Sequence, residues 1–321
     1  MKREIIVPEN EAAWLELRKK DITSTDIAAL FNMSSYCTPF ELWHRKKSGE
    51  DIEFEMKEWT LWGKRLQDSI AAGVAIDNGW SIRKMDEYMR IPELRMGSSF
   101  DFSIRNLAVS PEANEPTFIE TGLLEIKNVF GMIFKDQWLE DDDGNIEAPP
   151  HIELQVQHQL AVSGRAFCYI AALVAGNKIV LIKREPDQEI INEIKLKVMR
   201  FWETIDKNQE PEPDFERDGK MLKRLYNVAE PGKVMDASDD AGLLEMVKEY
   251  LRDGATIKAL EGKREAIKNK ILTLAGDAEK IIGGQFSVSL GTVAPAHVEY
   301  DRAAYRLFKI NANKQFKESV V

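Results

Sequence analysis

Leu123-Leu124-Glu125-Ile126-Lys127 is the stretch from which the rest of the chain can be read. Its composition predicts a β-strand, and strand side chains alternate between faces. Glu125 and Lys127 then share one face, with Leu124 and Ile126 turned into the core. Twenty-four residues upstream, Asp101 stands between Phe100 and Phe102 in a second predicted strand, Met96 to Ile104. Pairing of the two strands through a turn region at Pro116 to Gly122 would bring Asp101 and Glu125 to one point. Two carboxylates and a lysine there suit Mg²⁺ with a water held beside it, because hard cations prefer carboxylate oxygens. Glu-x-Lys pairs are also common on exposed surfaces, so the triplet alone does not assign an activity.

Outward from this strand, the flanking pattern is α/β. On the N-terminal side, helices are predicted within residues 9–33, over 38–48 ending at Gly49, and over 57–79 ending at Gly79. Residues 80–129 read as short strands, with separate segments at Thr117 to Glu120 and Leu123 to Val129. Glu140 to Gly144, with Asp141 and Asp143, reads as a solvated acidic loop. A helix from about 150 to Ser163, strands at Phe167 to Val174 and Lys178 to Lys183, and an amphipathic helix from Ile190 to Ile205 complete a layered unit.

Glu210-Pro211-Glu212-Pro213-Asp214 is a stiff break, dividing a domain at 1–215 from an extension at 216–321. In the extension, Leu243, Val247, Tyr250, Ile257, Leu260, Ile267, Ile271 and Leu274 step by threes and fours, interrupted at Gly254. That seam predicts a long helix or a helical hairpin of coiled-coil type, followed by a strand from Gln285 to Leu290. Its alternative uses are packing on the first domain, and oligomerisation or partner docking.

Composition narrows the classes. With 44 Lys plus Arg against 54 Asp plus Glu, the net charge of -10 argues against coating nucleic acid through bulk charge, though not against a local basic groove. The 44% hydrophobic and 31% charged fractions are those of a globular protein. Two cysteines and four histidines without HExxH or HxxxH spacing argue against disulfide scaffolds, Cys-rich zinc sites and zinc hydrolase chemistry. No apolar run has signal-peptide or membrane-span length, so the expected location is the cytoplasm and no membrane partner is expected.

The triplet keeps informative company: Trp14 to Arg18, Ile22 to Asp26, Pro39 to Trp43, Trp62 to Gln67, Ser98 to Asp101, Leu124 to Lys127 and Gln155 to Gly164. In this order the blocks resemble the YqaJ-like viral recombinase family, which includes lambda exonuclease, over roughly residues 12–210. The resemblance implies a restriction-endonuclease-like core of the PD-(D/E)xK type, with a mixed central sheet flanked by helices. It also implies a phage or prophage enzyme of the bacterial cytoplasm that degrades double-stranded DNA from 5′ ends. The resulting 3′ single-stranded tails would pass to an annealing protein, and copies of the chain would form a ring trimer.

Carried over by residue, the resemblance makes Asp101 and Glu125 ligands for Mg²⁺, or for Mn²⁺ in its place, with the Ile126 carbonyl completing the set. It gives Lys127 the water, and gives Arg18, Thr25, Ser99 and Gln155 the 5′-phosphate. Where the family carries a glutamate ligand, this chain has Gln67, whose neutral oxygen is a weaker ligand. Asp68 lies about 100° further round the helix and cannot simply replace it. Trp43, Trp59 and Trp62 are assigned to the core, with stacking on DNA ends as the alternative; His158 is assigned to a structural role, and Gln155 rather than Gln157 to the site. The alternative activities are an endonuclease or nickase of the same fold, and a DNA-end-binding protein with weak catalysis.

Overall fold

A computed structural model describes residues 2–49, 57–109, 116–140, 142, 144–302, 304–311 and 316. It separates into two compact units, Met1–Met221 and Leu222–Val321. Asp141 and Asp143 of the acidic loop fall outside the described residues.

In chain order, the first unit comprises β1 (Glu4–Ile6), α1 (Glu11–Lys20), β2 (Ile22–Thr23), α2 (Ile27–Leu30), α3 (Pro39–Ser48) and α4 (Glu58–Asn78). Strands β3 (Ser81–Lys84), β4 (Tyr88–Ile91), β5 (Met96–Ser98), β6 (Phe102–Val109) and β7 (Pro116–Val129) follow. Beyond them come α5 (Gly131–Gln137), β8 (Leu139–Glu140), β9 (Ile146–Glu147), α6 (Pro150–Ser163), β10 (Phe167–Val174), β11 (Lys178–Arg184) and α7 (Gln188–Asp206). The short α8 (Gly219–Leu225) precedes α9 (Ala241–Ala275), β12 (Lys280–Ile282) and β13 (Ser287–Ser289).

Local chemistry sets these boundaries. Helix α3 begins where Thr38 accepts a hydrogen bond from the Glu41 amide, with Pro39 in its first turn, and stops at Gly49 in the left-handed region. Asp187 caps α7 in the same way, and Ile191, Ile194, Val198, Phe201, Trp202 and Ile205 form its buried stripe. Helix α6 differs: from Ile152 to Val162 it is buried on nearly every side, packed against α2, α7, β4, β5 and β10.

The central sheet has the order β11-β10-β7-β6-β3, with β7 and β10 parallel and the other pairs antiparallel. Both faces of β7 are covered. Leu123 and Val129 join the larger core that includes α6 and α7, while Leu124 and Ile126 join a smaller one with Ile70, Ala71 and Val74 of α4. A second sheet, β1-β4-β5-β2, carries Gly97 on β5. A Cβ at Gly97 would overlap the Tyr88 hydroxyl, so only glycine leaves room for that ring beside Asp21.

Several expectations change. The single strand expected over Met96 to Ile104 is two, in different sheets: Ser98 ends β5, Phe102 starts β6, and Asp101 sits in the bend between them. Residues 116–122 are strand rather than turn, and β7 runs unbroken past a register shift at Ile104/Arg105 of β6. In the second unit α9 is one helix of 35 residues. Gly254 does not break it, because a glycine inside a helix costs only about 1 kcal/mol and many turns flank it. Trp43 is buried as expected, but Trp59 and Trp62 on the first turns of α4 are exposed.

His158 on α6 is fully buried and bonds the Ile22 carbonyl through Nε2 at 3.1 Å, while its Nδ1 has no partner among the described residues. Burial pushes its pKa down to about 4. The folded protein therefore holds the ring neutral while the unfolded chain takes up a proton below its ordinary value of about 6.5. Stability from this group is complete above pH 6.5 and falls as the pH drops toward 4, by on the order of 3 kcal/mol. Urea unfolding at pH 8 and pH 5 should show a loss for the wild type that His158→Gln lacks; equal losses would exclude His158 as the source.

Candidate active site

Strand β7 delivers Glu125 and Lys127 to the face covered by α6, and the bend before β6 delivers Asp101 beside them, since Phe102 pairs with Leu124. The Glu125 carboxylate is 5% exposed. Its Oε1 accepts from Lys127 Nζ at 2.7 Å and from Gln155 Nε2 at 2.6 Å, and its Oε2 accepts from Gln159 Nε2 at 2.8 Å. Lys127 also donates to Gln155 Oε1 at 2.9 Å. Asp101 Oδ2 accepts the Ile126 main-chain N–H at 2.8 Å, and the Gln67 side chain of α4 bonds the same carboxylate. Asp101, Glu125, Ile126, Lys127, Gln155 and Gln67 are thus brought together.

The electrostatics follow from burial and proximity. Burial first, and then the charge on Glu125, push Asp101 up to about 7, against the Ile126 N–H, Lys127 and Gln67. Burial opposes the charge on Lys127, but Glu125 and Asp101 hold its pKa above the ordinary lysine value, so it is a cation and a donor. Two acids served by one lysine are short of positive charge, and their oxygens with the Ile126 carbonyl are a donor set of the kind that fits a hard divalent cation. Among the described residues no group of three or more His, Cys, Asp and Glu is placed to hold a metal. Any such ion would rest on two carboxylates plus neutral oxygens, and Gln67 is placed as a donor to Asp101 rather than as a third acid. Asp68 pairs instead with Lys84 at 2.7 Å.

Of the residues expected to hold a 5′-phosphate, Gln155 lies instead with the acids, bonded to Glu125 and Lys127, while Arg18, Thr25 and Ser99 belong to a second, linked cluster. Arg18 Nη2 donates to Thr25 Oγ1 at 2.9 Å and lies over the Trp14 ring, whose Nε1 donates to Ser99 Oγ at 2.7 Å. The Ser99 carbonyl accepts from Gln159 at 3.4 Å, joining this cluster to Glu125. Behind it, Asp26 accepts from Thr23 Oγ1 and from Lys46, each at 2.8 Å. Burial opposes ionisation of Asp26, yet Lys46, Arg18 and Arg45 hold it well below the usual carboxylate range. Lys46 is turned inward.

Sequence reasoning missed Trp14, Asp26, Lys46 and Gln159. Gln159 had a signal: it is four residues after Gln155, so both lie on one helix face, with His151 four residues earlier. Gln157 points away, to the Glu185 carbonyl and the Asp187 amide, and His158 is structural as expected. The inward pairing of Lys46 had none, because it needs α1, α3 and the loop before α2 in one place.

Residues 13–166 match the YqaJ-like viral recombinase domain. The uncharacterized protein YqaJ of Bacillus subtilis (strain 168) is 28% identical over 270 residues, covering 83% of this chain and 78% of that protein. Among solved structures, an alkaline exonuclease from Laribacter hongkongensis is 19% identical, with a TM-score of 0.44 over 66% of this chain and 99% of that one. The same exonuclease in complex with dAMP is 18% identical with a TM-score of 0.42, at the same coverage.

The coupling of the two acids can be read directly. In ¹³C NMR titration without divalent cations, the Asp101 carboxyl should titrate near pH 7. In Glu125→Gln its midpoint should fall, because the neighbouring charge that disfavours ionisation is gone. An unchanged midpoint would show that Glu125 does not act on it.

Proposed function

From the match of residues 13–166 to the YqaJ-like viral recombinase domain, we propose that the chain is a Mg²⁺-dependent exonuclease that degrades double-stranded DNA from its 5′ ends. Mn²⁺ can substitute, and the product is a 3′ single-stranded tail for an annealing protein. The observation that carries this reading is the convergence of Asp101, Glu125 and Lys127, with Asp101 pushed up first by burial and then by the charge on Glu125.

Asp101, Glu125 and the Ile126 carbonyl are the residues that would hold the ion, with Gln67 able to offer its oxygen only by turning its amide over. When bound, the ion supplies an activated water and neutralises charge building on the phosphate. Lys127 is held cationic by Glu125, so its role is to orient the attacking water and steady negative charge rather than to accept the proton. Gln155 and Gln159 clamp Glu125 from α6 and keep its oxygens aimed. Arg18 supplies a guanidinium for the terminal 5′-phosphate, with the Thr25 and Ser99 hydroxyls beside it as donors. The hydrogen bonds through Trp14 and Gln159 set the spacing between phosphate pocket and carboxylates, and that spacing selects an end over an internal bond.

End-labelled linear duplex with Mg²⁺ should be shortened from its 5′ ends while closed circular duplex survives. Glu125→Ala and Lys127→Ala should each lower the rate by roughly 10²–10⁴-fold. Equal activity in either variant would remove the assignment, and cutting of closed circles would mark an endonuclease. End binding in Ca²⁺ without hydrolysis in Mg²⁺ or Mn²⁺ would leave a binding protein. Separately, the wild type should prefer 5′-phosphorylated over 5′-hydroxyl ends by about 10–100-fold, and Arg18→Ala should erase that preference. Binding should weaken steeply as salt rises.

A further inference from the structure

Helix α9 carries a seam that its own unit leaves open. Two sets of positions recur every seven residues, one starting at Leu243 and the other at Met246, alternately three and four residues apart from end to end. Eight of these ten positions are apolar, over more than four heptads. Met246, Tyr250, Ile257, Leu260 and Ile267 are each between 57% and 62% exposed, although Phe308 lies edge-on to Tyr250. The two exceptions are charged and opposite in sign: Asp253 and Arg264. About 16 Å apart along the helix, they cannot pair with each other, and neither has an ion-pair partner among the described residues.

Their spacing decides what fits. Two copies of α9 laid antiparallel about a two-fold axis between Lys258 and Ala259 bring each position of one set opposite a position of the other. In that register Leu243 faces Leu274, Met246 faces Ile271, Tyr250 faces Ile267, and Ile257 faces Leu260. The remaining layer puts Asp253 of one copy against Arg264 of the other, twice by symmetry. On the flank, Glu249 falls beside Lys270. A parallel pair would instead stack Asp253 on Asp253 and Arg264 on Arg264, and would set Lys263 beside Lys268.

We propose that α9 is a self-association helix that pairs antiparallel with a second copy of this chain, its register set by reciprocal Asp253–Arg264 ion pairs. The charges are poor for burial as such, and they act as the device that excludes the parallel alignment and slipped registers. Gly254 and Gly262 make the helix weak on its own, so pairing also stabilises it. The resulting two-fold dimer differs from the three-fold ring that the family resemblance implies.

Sedimentation velocity on the full chain at low-micromolar to about 100 µM concentration tests this by mass, whatever the outcome for nuclease activity. The wild type should run at twice the 36.6 kDa of one chain. Asp253→Arg and Arg264→Asp should each weaken the dimer by about tenfold or more, with helix content at high concentration and the unfolding of the first unit as controls for folding. The combined Asp253→Arg/Arg264→Asp variant should restore it. A single-chain mass, a three-chain mass, a dimer indifferent to the single reversals, or a double reversal that stays dissociated would each overturn the proposal.

Discussion

The Glu125 carboxylate is the constraint on which the rest of the first unit depends. A strand with both faces covered leaves it almost no water, and an unpaired buried carboxylate would cost several kcal/mol. Three side chains meet that charge: one from its own strand and two from α6. Helix α6 must therefore lie across β7 with Gln155 and Gln159 facing it. The near-total burial of α6 beneath α2 and α7 prevents it from rolling away. The same apolar contacts that stabilise the unit thus fix the donors of a polar site.

The acid site and the Arg18 cluster are joined by a continuous run of contacts. Gln159 reaches both Glu125 and the Ser99 carbonyl, Ser99 accepts from Trp14, and Trp14 supports the Arg18 guanidinium. Beneath them the buried Asp26–Lys46 pair ties the loop before α2 to the last turn of α3, with Lys46 also donating to the Arg18 and Asp21 carbonyls. A buried pair of this kind is weak evidence for stability but holds geometry well, since neither partner can leave without exposing the other. Pre-positioned donors of this sort lower the reorganisation needed when an anion arrives.

Much of this was legible in the sequence because it depends on short-range rules. Gly49 and Gly79 marked the C-terminal ends of α3 and α4, and strand alternation placed Glu125 with Lys127 on one face. What escaped depends on which surfaces meet. The hydrophobic run through Met96 to Ile104 looked like one strand, yet the chain bends at Asp101 to change sheets, and that bend aims the carboxylate at Ile126. The four-residue spacing put Gln159 on the helix face of Gln155, but that spacing gains its meaning only once the carboxylate opposite it is known. Trp59 and Trp62 were assigned inward on hydrophobicity, although tryptophan is often only partly buried.

The net charge of -10 and an anionic ligand are compatible once distance is considered. Exposed charges farther apart than about 8–10 Å are largely screened at physiological salt, so an anion at Arg18 responds to its immediate neighbours rather than to the whole protein. Those neighbours are hydroxyls, an indole and a lysine whose partner, Asp26, is already satisfied. Of the basic residues on the helices before α4, Lys46 is spent inside and Lys47 bonds the Ile205 carbonyl. Under the proposed function, recognition of an end would rest on one guanidinium held by its surroundings, an arrangement that tolerates an acidic body and ties binding to geometry more than to bulk attraction.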